Sequence, residues 1–132
     1  MNDNNPLRAA SALVQAGKTA DAIDCLESAL GYTRPNKDRP ANTSTLARTA
    51  GVLCEEAGRL SQAGLYYEEA VATAEHDPLP LLALASLRWR LGQAESARSH
   101  LARAELIAQA ASDSDVLEMI DNIRKEWTSD ND

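Results

Sequence analysis

Phenylalanine is absent from this sequence of 132 residues, and aromatic residues of all kinds make up only 4% of it. Apolar residues nevertheless account for 44% of the chain, which argues against disorder throughout. Much of that fraction is alanine, a small residue with a high intrinsic helix propensity. The composition therefore favours closely packed helices over a sheet or a core of bulky side chains. We predict an all-α fold in one domain spanning residues 1–132.

Basic residues are also scarce. Thirteen Lys and Arg stand against twenty Asp and Glu, which gives a formal net charge of −7. Affinity for nucleic acid depends largely on clustered Lys and Arg, so we expect no nucleic-acid partner. The bases that follow Pro78 concentrate in residues 79–112, whereas residues 113–132 are strongly acidic. This asymmetry is most simply charge complementarity between neighbouring elements.

Long apolar runs are missing as well. No stretch approaches the roughly 18 apolar residues of a membrane helix, so no membrane association is expected. Residues 1–6 lack the apolar core and basic region of a signal peptide. The two cysteines, Cys25 and Cys54, fall at core-like positions of predicted helices and are expected to be buried reduced thiols. These features predict a cytoplasmic protein.

Motifs for catalysis or cofactor binding are not found. The six glycines are dispersed and follow no strand, so there is no phosphate-binding loop. The two histidines, His76 and His100, do not have the paired spacing of a zinc site. Adjacent carboxylates such as Glu68 and Glu69 point apart on a helix, which indicates a solvated face. We therefore predict no enzyme, no cofactor and no metal.

A helical hairpin organises the chain. Residues 45–57 and 62–74 show helical periodicity and are joined by a short turn at Gly58. Shifting the sequence by 34 residues places Gly58 on Gly92, and a shift of 41 in the other direction finds Gly17. The sequence thus predicts three hairpins, at about residues 6–31, 44–77 and 78–111, and a helix at about 113–128.

Small residues recur at fixed distances from each turn glycine. Ala10, Gly51 and Ala85 precede it by seven residues, Ala22, Ala63 and Ala97 follow it by five, and Ala29, Ala70 and Ala104 follow it by twelve. Larger side chains at these places would separate two helices whose axes need to approach within about 8–10 Å. The spacing therefore has a packing cause.

The ends of several helices are predicted from local signals. Pro6 suits a first helical turn, and Gly31 is expected to end the second helix. Residues 32–43, with two prolines and several bases, are expected to form a surface loop whose charge serves solvation or contact with a partner. Ser44 is expected to cap the second hairpin. Ser112, with Asp115, resembles a capping box that opens the last helix.

This pattern resembles the tetratricopeptide repeat over roughly residues 6–111. The large aromatic residues often seen in the first helix of that repeat are replaced here by smaller or different ones. The resemblance implies a right-handed α-solenoid of three antiparallel hairpins with a seventh capping helix, whose first helices line a concave groove. The implied groove positions are Asn4, Leu7, Ser11, Val14 and Gln15 in the first hairpin, Thr45, Arg48, Val52, Glu55 and Glu56 in the second, and Leu79, Leu82, Ser86, Trp89 and Arg90 in the third.

Such a groove would be largely apolar, and each of its apolar residues has plain core packing as an alternative role. Family members that grip carboxylate termini use Lys, Asn and Arg at places that here hold Leu7, Ser11, Thr49, Leu79 and Ala83. We expect instead a protein-interaction module, an adaptor or chaperone-like protein, that binds an apolar or amphipathic segment of a partner protein. Trp89 is the expected anchor.

Two other functions are weighed against this one. Ile120, Ile123 and Trp127 lie on one side of the last helix and would be shared between two chains in a self-associating homo-oligomer. An enzyme, the more remote alternative, would require a deep polar pocket. The sequence does not identify the partner.

Overall fold

The computed structural model describes residues 5–33 and 40–130, and these residues form seven α-helices and no strand. The predicted all-α class is thereby confirmed for the described part of the chain. The helices are α1 (Pro6–Gln15), α2 (Thr19–Thr33), α3 (Pro40–Glu56), α4 (Leu60–Thr73), α5 (Pro78–Arg90), α6 (Ala94–Ala110) and α7 (Ser114–Asp130).

The chain divides into two compact units, Met1–Glu75 and His76–Asp132. In the first unit α1 packs against α2, α2 against α3, and α3 against α4, and α1 also touches α3. In the second unit α5 packs against α6 and α6 against α7. Each predicted hairpin is therefore a pair of packed neighbouring helices. The organisation of residues 1–132 as one domain stays a prediction.

The turns of the three hairpins share one backbone geometry. Gly17, Gly58 and Gly92 have φ of 78°, 81° and 81°, in the left-handed region that glycine adopts without steric cost. Each glycine N–H donates to the carbonyl three residues back at 2.9 to 3.1 Å, and the next N–H donates to the carbonyl five back at 2.7 to 2.8 Å. This pair of bonds is the Schellman motif, which satisfies carbonyls at the end of a helix.

A fourth turn of the same kind joins α6 to α7 without a glycine. Ser112 has φ of 53°, and its N–H donates to the Gln109 carbonyl at 3.1 Å while that of Asp113 donates to the Ala108 carbonyl at 2.9 Å. The predicted capping role of Ser112 was wrong. Asp113 caps α7 instead, because its carboxylate accepts the N–H of Val116 at 3.2 Å.

Two other predicted helix ends were also wrong. Helix α2 continues through Gly31 to Thr33, and α3 already begins at Pro40, so part of the predicted loop is helical. The remainder of that loop, residues 34–39, lies outside the described residues. Ser44 is not a cap, because it lies inside α3 and its hydroxyl donates to the Ala70 carbonyl of α4 at 2.9 Å. A buried hydroxyl needs such a partner.

Most of the predicted small residues lie in helix contacts. Eight of the nine are buried, and Ala29 is half-buried. The helices of the second hairpin approach closely at Gly51 of α3, where an added Cβ atom would lie 2.5 Å from the Tyr67 ring of α4. Only a residue without a side chain leaves room for that ring. Glycine therefore has a packing role at Gly51 in addition to its conformational role at the turns.

Two glycine-to-alanine substitutions should have opposite effects on stability. Gly51→Ala should lower the free energy of unfolding by about 1–3 kcal/mol, because the new methyl group overpacks the contact with Tyr67. Gly31→Ala, at a helical position with no atom within 4 Å of the added Cβ, should raise it by about 0.5–1 kcal/mol through helix propensity. Urea denaturation measures both, and a stabilised Gly51→Ala variant would contradict the close contact.

Candidate functional site

The predicted groove residues of the first unit form two stripes. Leu7, Ser11 and Val14 lie on α1, and Arg48, Val52 and Glu55 repeat the same spacing on α3. This spacing of four and then three residues places each triplet on one face of its helix. The two helices touch each other. The first unit therefore presents two neighbouring helices that each carry a stripe of predicted contact residues.

Exposure differs among these residues. Val52 is 39% exposed on α3, a helix that contacts α1, α2 and α4. Ser11 is exposed, and Leu7 and Val14 are half-buried. Each of these side chains keeps surface for a partner. Of the other groove positions, Asn4 lies outside the described residues, Gln15 and Glu56 are exposed, and Thr45 is half-buried.

Glu55 has an internal role that sequence reasoning missed. Its carboxylate accepts a hydrogen bond of 2.8 Å from the hydroxyl of Tyr67, a residue that is buried in α4. Burial and then this bond raise the pKa of Tyr67 well above its ordinary value. The half-buried Glu55 thus fastens α3 to α4. The signal in the sequence was a pair of tyrosines within an alanine-rich helix, since a buried phenol needs a hydrogen-bond partner.

Tyr66 makes a parallel connection between hairpins. It is buried, and its hydroxyl donates to the carboxylate of Glu27 on α2. Burial, followed by the hydrogen bond to Glu27, raises the pKa of Tyr66 to about 12. The two adjacent tyrosines therefore bind carboxylates on the two helices α2 and α3.

These tyrosines should make the protein sensitive to alkali. The pKa of Tyr66 rises from an ordinary 10.0 to about 12 in the fold, so its contribution to stability is complete below pH 10 and is lost as the pH rises towards 12. The free energy of unfolding should therefore fall across this window. Tyr66→Phe should make the fall shallower, because one raised pKa is removed.

Urea denaturation between pH 8 and pH 11 measures the slope for both proteins. A double variant, Tyr66→Phe with Tyr67→Phe, should flatten the curve further, because the pKa of Tyr67 is raised as well. Equal slopes for the wild type and both variants would show that the tyrosines are not held as neutral donors.

In the second unit the predicted groove residues do not share one environment. Leu82 is only 5% exposed and belongs to the core, so it offers no surface to a partner. Leu79 is half-buried beside the cap of α5, where the Asp77 carboxylate accepts its N–H at 3.0 Å. Ser86 and Arg90 are exposed. The contact surface of α5 is therefore smaller than predicted.

Trp89, the expected anchor, is partly covered by its own chain. Its ring stacks on that of Trp127 in α7, with centroids 4.5 Å apart and planes within 6°. The guanidinium of Arg98 lies 5.4 Å from the centroid of the Trp89 ring, within the range of a cation–π interaction. The side chain is half-buried as a result. Trp89 joins α5, α6 and α7, a long-range contact that helical periodicity does not reveal.

The residues predicted for self-association also face inwards. Ile120 is buried and Trp127 is 7% exposed in a single chain, whereas Ile123 is half-buried.

The two cysteines are free thiols. Cys54 is buried as predicted, whereas Cys25 is only half-buried. Burial raises the pKa of the Cys54 thiol.

Other kinds of site find no support within residues 5–33 and 40–130. In this part of the chain no group of three or more His, Cys, Asp or Glu side chains could hold a metal ion. No described helix combines the length and apolar character that crossing a membrane requires. No protein-family model matches the sequence, and no curated protein matches it either.

Proposed function

We propose that this protein is a tetratricopeptide-like interaction module that binds an apolar or amphipathic segment of a partner protein. The observation that carries the proposal is the exposure of Val52 between Arg48 and Glu55 on α3, a helix that contacts α1 with its stripe of Leu7 and Val14. A contiguous apolar patch on packed helices, in contrast to a single exposed residue, is characteristic of a binding face. We call the six residues Leu7, Ser11, Val14, Arg48, Val52 and Glu55 the first-helix face.

The packing of the first unit supports the solenoid part of the proposal. The first hairpin packs on the second through α2 and α3, and the first helices α1 and α3 also touch. Contacts between successive hairpins are how repeat proteins build a continuous core. The buried small residues and the common turn geometry are consistent with one hairpin design used three times.

The chemistry of the first-helix face indicates the partner's character. Leu7, Val14 and Val52 offer apolar contact, and Ser11 is exposed on the same side of α1 as Leu7 and Val14. An amphipathic helix places apolar residues at intervals of three and four, which suits two such stripes. Arg48 is half-buried on the second stripe, where its cationic group suits an acidic flank of that segment. In the second unit Leu79, Ser86 and Arg90 keep accessible surface for the same kind of partner.

Self-association through α7 gains no support from the structure. Ile120 and Trp127 already pack inside a single chain, so they have little apolar surface left for a second copy. An enzyme stays the more remote alternative. A cytoplasmic location stays a prediction.

A matched pair of variants tests the proposal. Val52→Asp places a charge on the first-helix face, whereas Leu65→Asp makes the same kind of change at a more exposed apolar residue, 67% exposed, on α4 of the same unit. We expect Val52→Asp to weaken partner capture at least about tenfold, the loss typical of a central interface residue. Leu65→Asp should capture the partner as the wild type does.

The measurement is affinity capture from cells that produce the protein, quantified by mass spectrometry for all three baits. Thermal unfolding of the baits establishes that both variants stay folded. Proteins that bind the wild type and Leu65→Asp but not Val52→Asp are the expected result. Equal capture by Val52→Asp, or loss with Leu65→Asp alone, would contradict the assignment to the first-helix face.

A further inference from the structure

The second unit contains a recess between α6 and α7 that is separate from the first-helix face. Its volume is about 400 Å³, which is within the size range of ligand pockets. The lining combines two guanidinium groups with apolar and aromatic surface, from Arg98, Leu101, Ala102, Arg124, Trp127 and Thr128. This combination suits a ligand that is apolar on one side and anionic on the other.

The two arginines differ in their charge compensation. The terminal nitrogens of Arg124 donate to both oxygens of Glu105, at 2.6 and 2.9 Å. This bidentate pair lowers the pKa of Glu105. Among the described residues, Arg98 has the Trp89 ring as its neighbour and no carboxylate. The uncompensated positive charge at the recess is therefore that of Arg98.

The position of Arg98 favours anion binding. Arg98 is exposed, and its guanidinium carries five N–H donors, so donors remain for another ligand beside the Trp89 contact. The contact with Trp89 also restricts the side chain, and Trp89 is itself held by the stack on Trp127. Less conformational entropy is lost when an already ordered side chain binds a ligand.

We propose that this recess binds an acidic side chain of a partner protein together with an adjacent aromatic or branched apolar side chain. The carboxylate would pair with Arg98, and the apolar group would pack against the exposed Ala102 and the small accessible edge of Trp127, which is 7% exposed. The charge of Arg98 and the apolar lining select this occupant. The chain as a whole is acidic, so recognition depends on short-range contact and not on long-range attraction. The proposal concerns a different surface from the first-helix face and is independent of it.

Two blocked peptides that differ in a single group test this proposal. Acetyl-Ser-Trp-Glu-Ser-amide carries the carboxylate, and acetyl-Ser-Trp-Gln-Ser-amide replaces it with an amide of the same shape. Each is titrated into the ¹⁵N-labelled protein of 132 residues while the side-chain signals of Arg98 Nε and Trp127 Nε1 are followed by NMR. We expect saturable shifts with the Glu peptide and binding at least about tenfold weaker with the Gln peptide.

Variants locate the binding. Arg98→Gln should weaken binding of the Glu peptide at least about tenfold, whereas Arg103→Gln, at an exposed residue of α6 that does not line the recess, should leave it unchanged. Ala102→Leu keeps the charge but fills the recess, and it should also weaken binding. This second variant keeps the test valid if Arg98→Gln alters folding.

Three results would overturn the proposal. The first is the absence of NMR shifts at millimolar concentrations of the Glu peptide, and the second is equal affinity for the two peptides. The third is a loss of affinity for the Glu peptide that is as large with Arg103→Gln as with Arg98→Gln. Val52→Asp should not affect this titration, so failure of the recess and failure of the first-helix face are told apart.

Discussion

The close contact between the two helices of a hairpin is the constraint on which the rest of this structure depends. In the second hairpin Gly51 leaves space for the ring of Tyr67, and buried alanines at Ala63 and Ala70 continue the contact along α4. Because the helices are so near, Ser44 can donate directly to a carbonyl of α4 and Tyr67 can reach Glu55. The small residues thus bring these polar groups within hydrogen-bonding distance of each other. Among the described residues, every buried side-chain nitrogen or oxygen has a hydrogen-bond partner.

The large apolar and aromatic residues have different surroundings in the two units. Most large apolar residues, such as Leu26, Leu46 and Leu87, are buried together with the small residues. Val52 is exposed on the first helix of its hairpin. In the second unit, the ring of Trp89 on α5 stacks on that of Trp127 on α7. Arg98 lies beside the Trp89 ring and lines a recess. The two units therefore offer different chemistry, an apolar face in the first and a cationic, aromatic recess in the second.

Sequence reasoning found those features whose cause is local. Three turns carry glycine because their φ is positive, and helical periodicity located all seven helices of the described residues. It failed at Ser112, because a serine in the left-handed region has no distinctive sequence mark, and at Gly31, because an isolated glycine at an uncrowded position does not end a helix. Val52 and Leu82 were both predicted to line the groove. In the structure Val52 is exposed, whereas Leu82 is buried in the core. The partners of Trp89, Glu55 and Tyr66 lie on other helices, and a single sequence does not encode such contacts in its spacing.

The most direct test of the close helix contact is the nuclear Overhauser effect between the α-protons of Gly51 and the ring protons of Tyr67. The structure places the ring within 2.5 Å of where a Cβ on Gly51 would lie, so strong cross-peaks between these protons are expected in the native protein. Assigned signals for both residues with no cross-peak between them would show that α3 and α4 do not meet at Gly51. Small residues would then not be what sets the spacing of this hairpin.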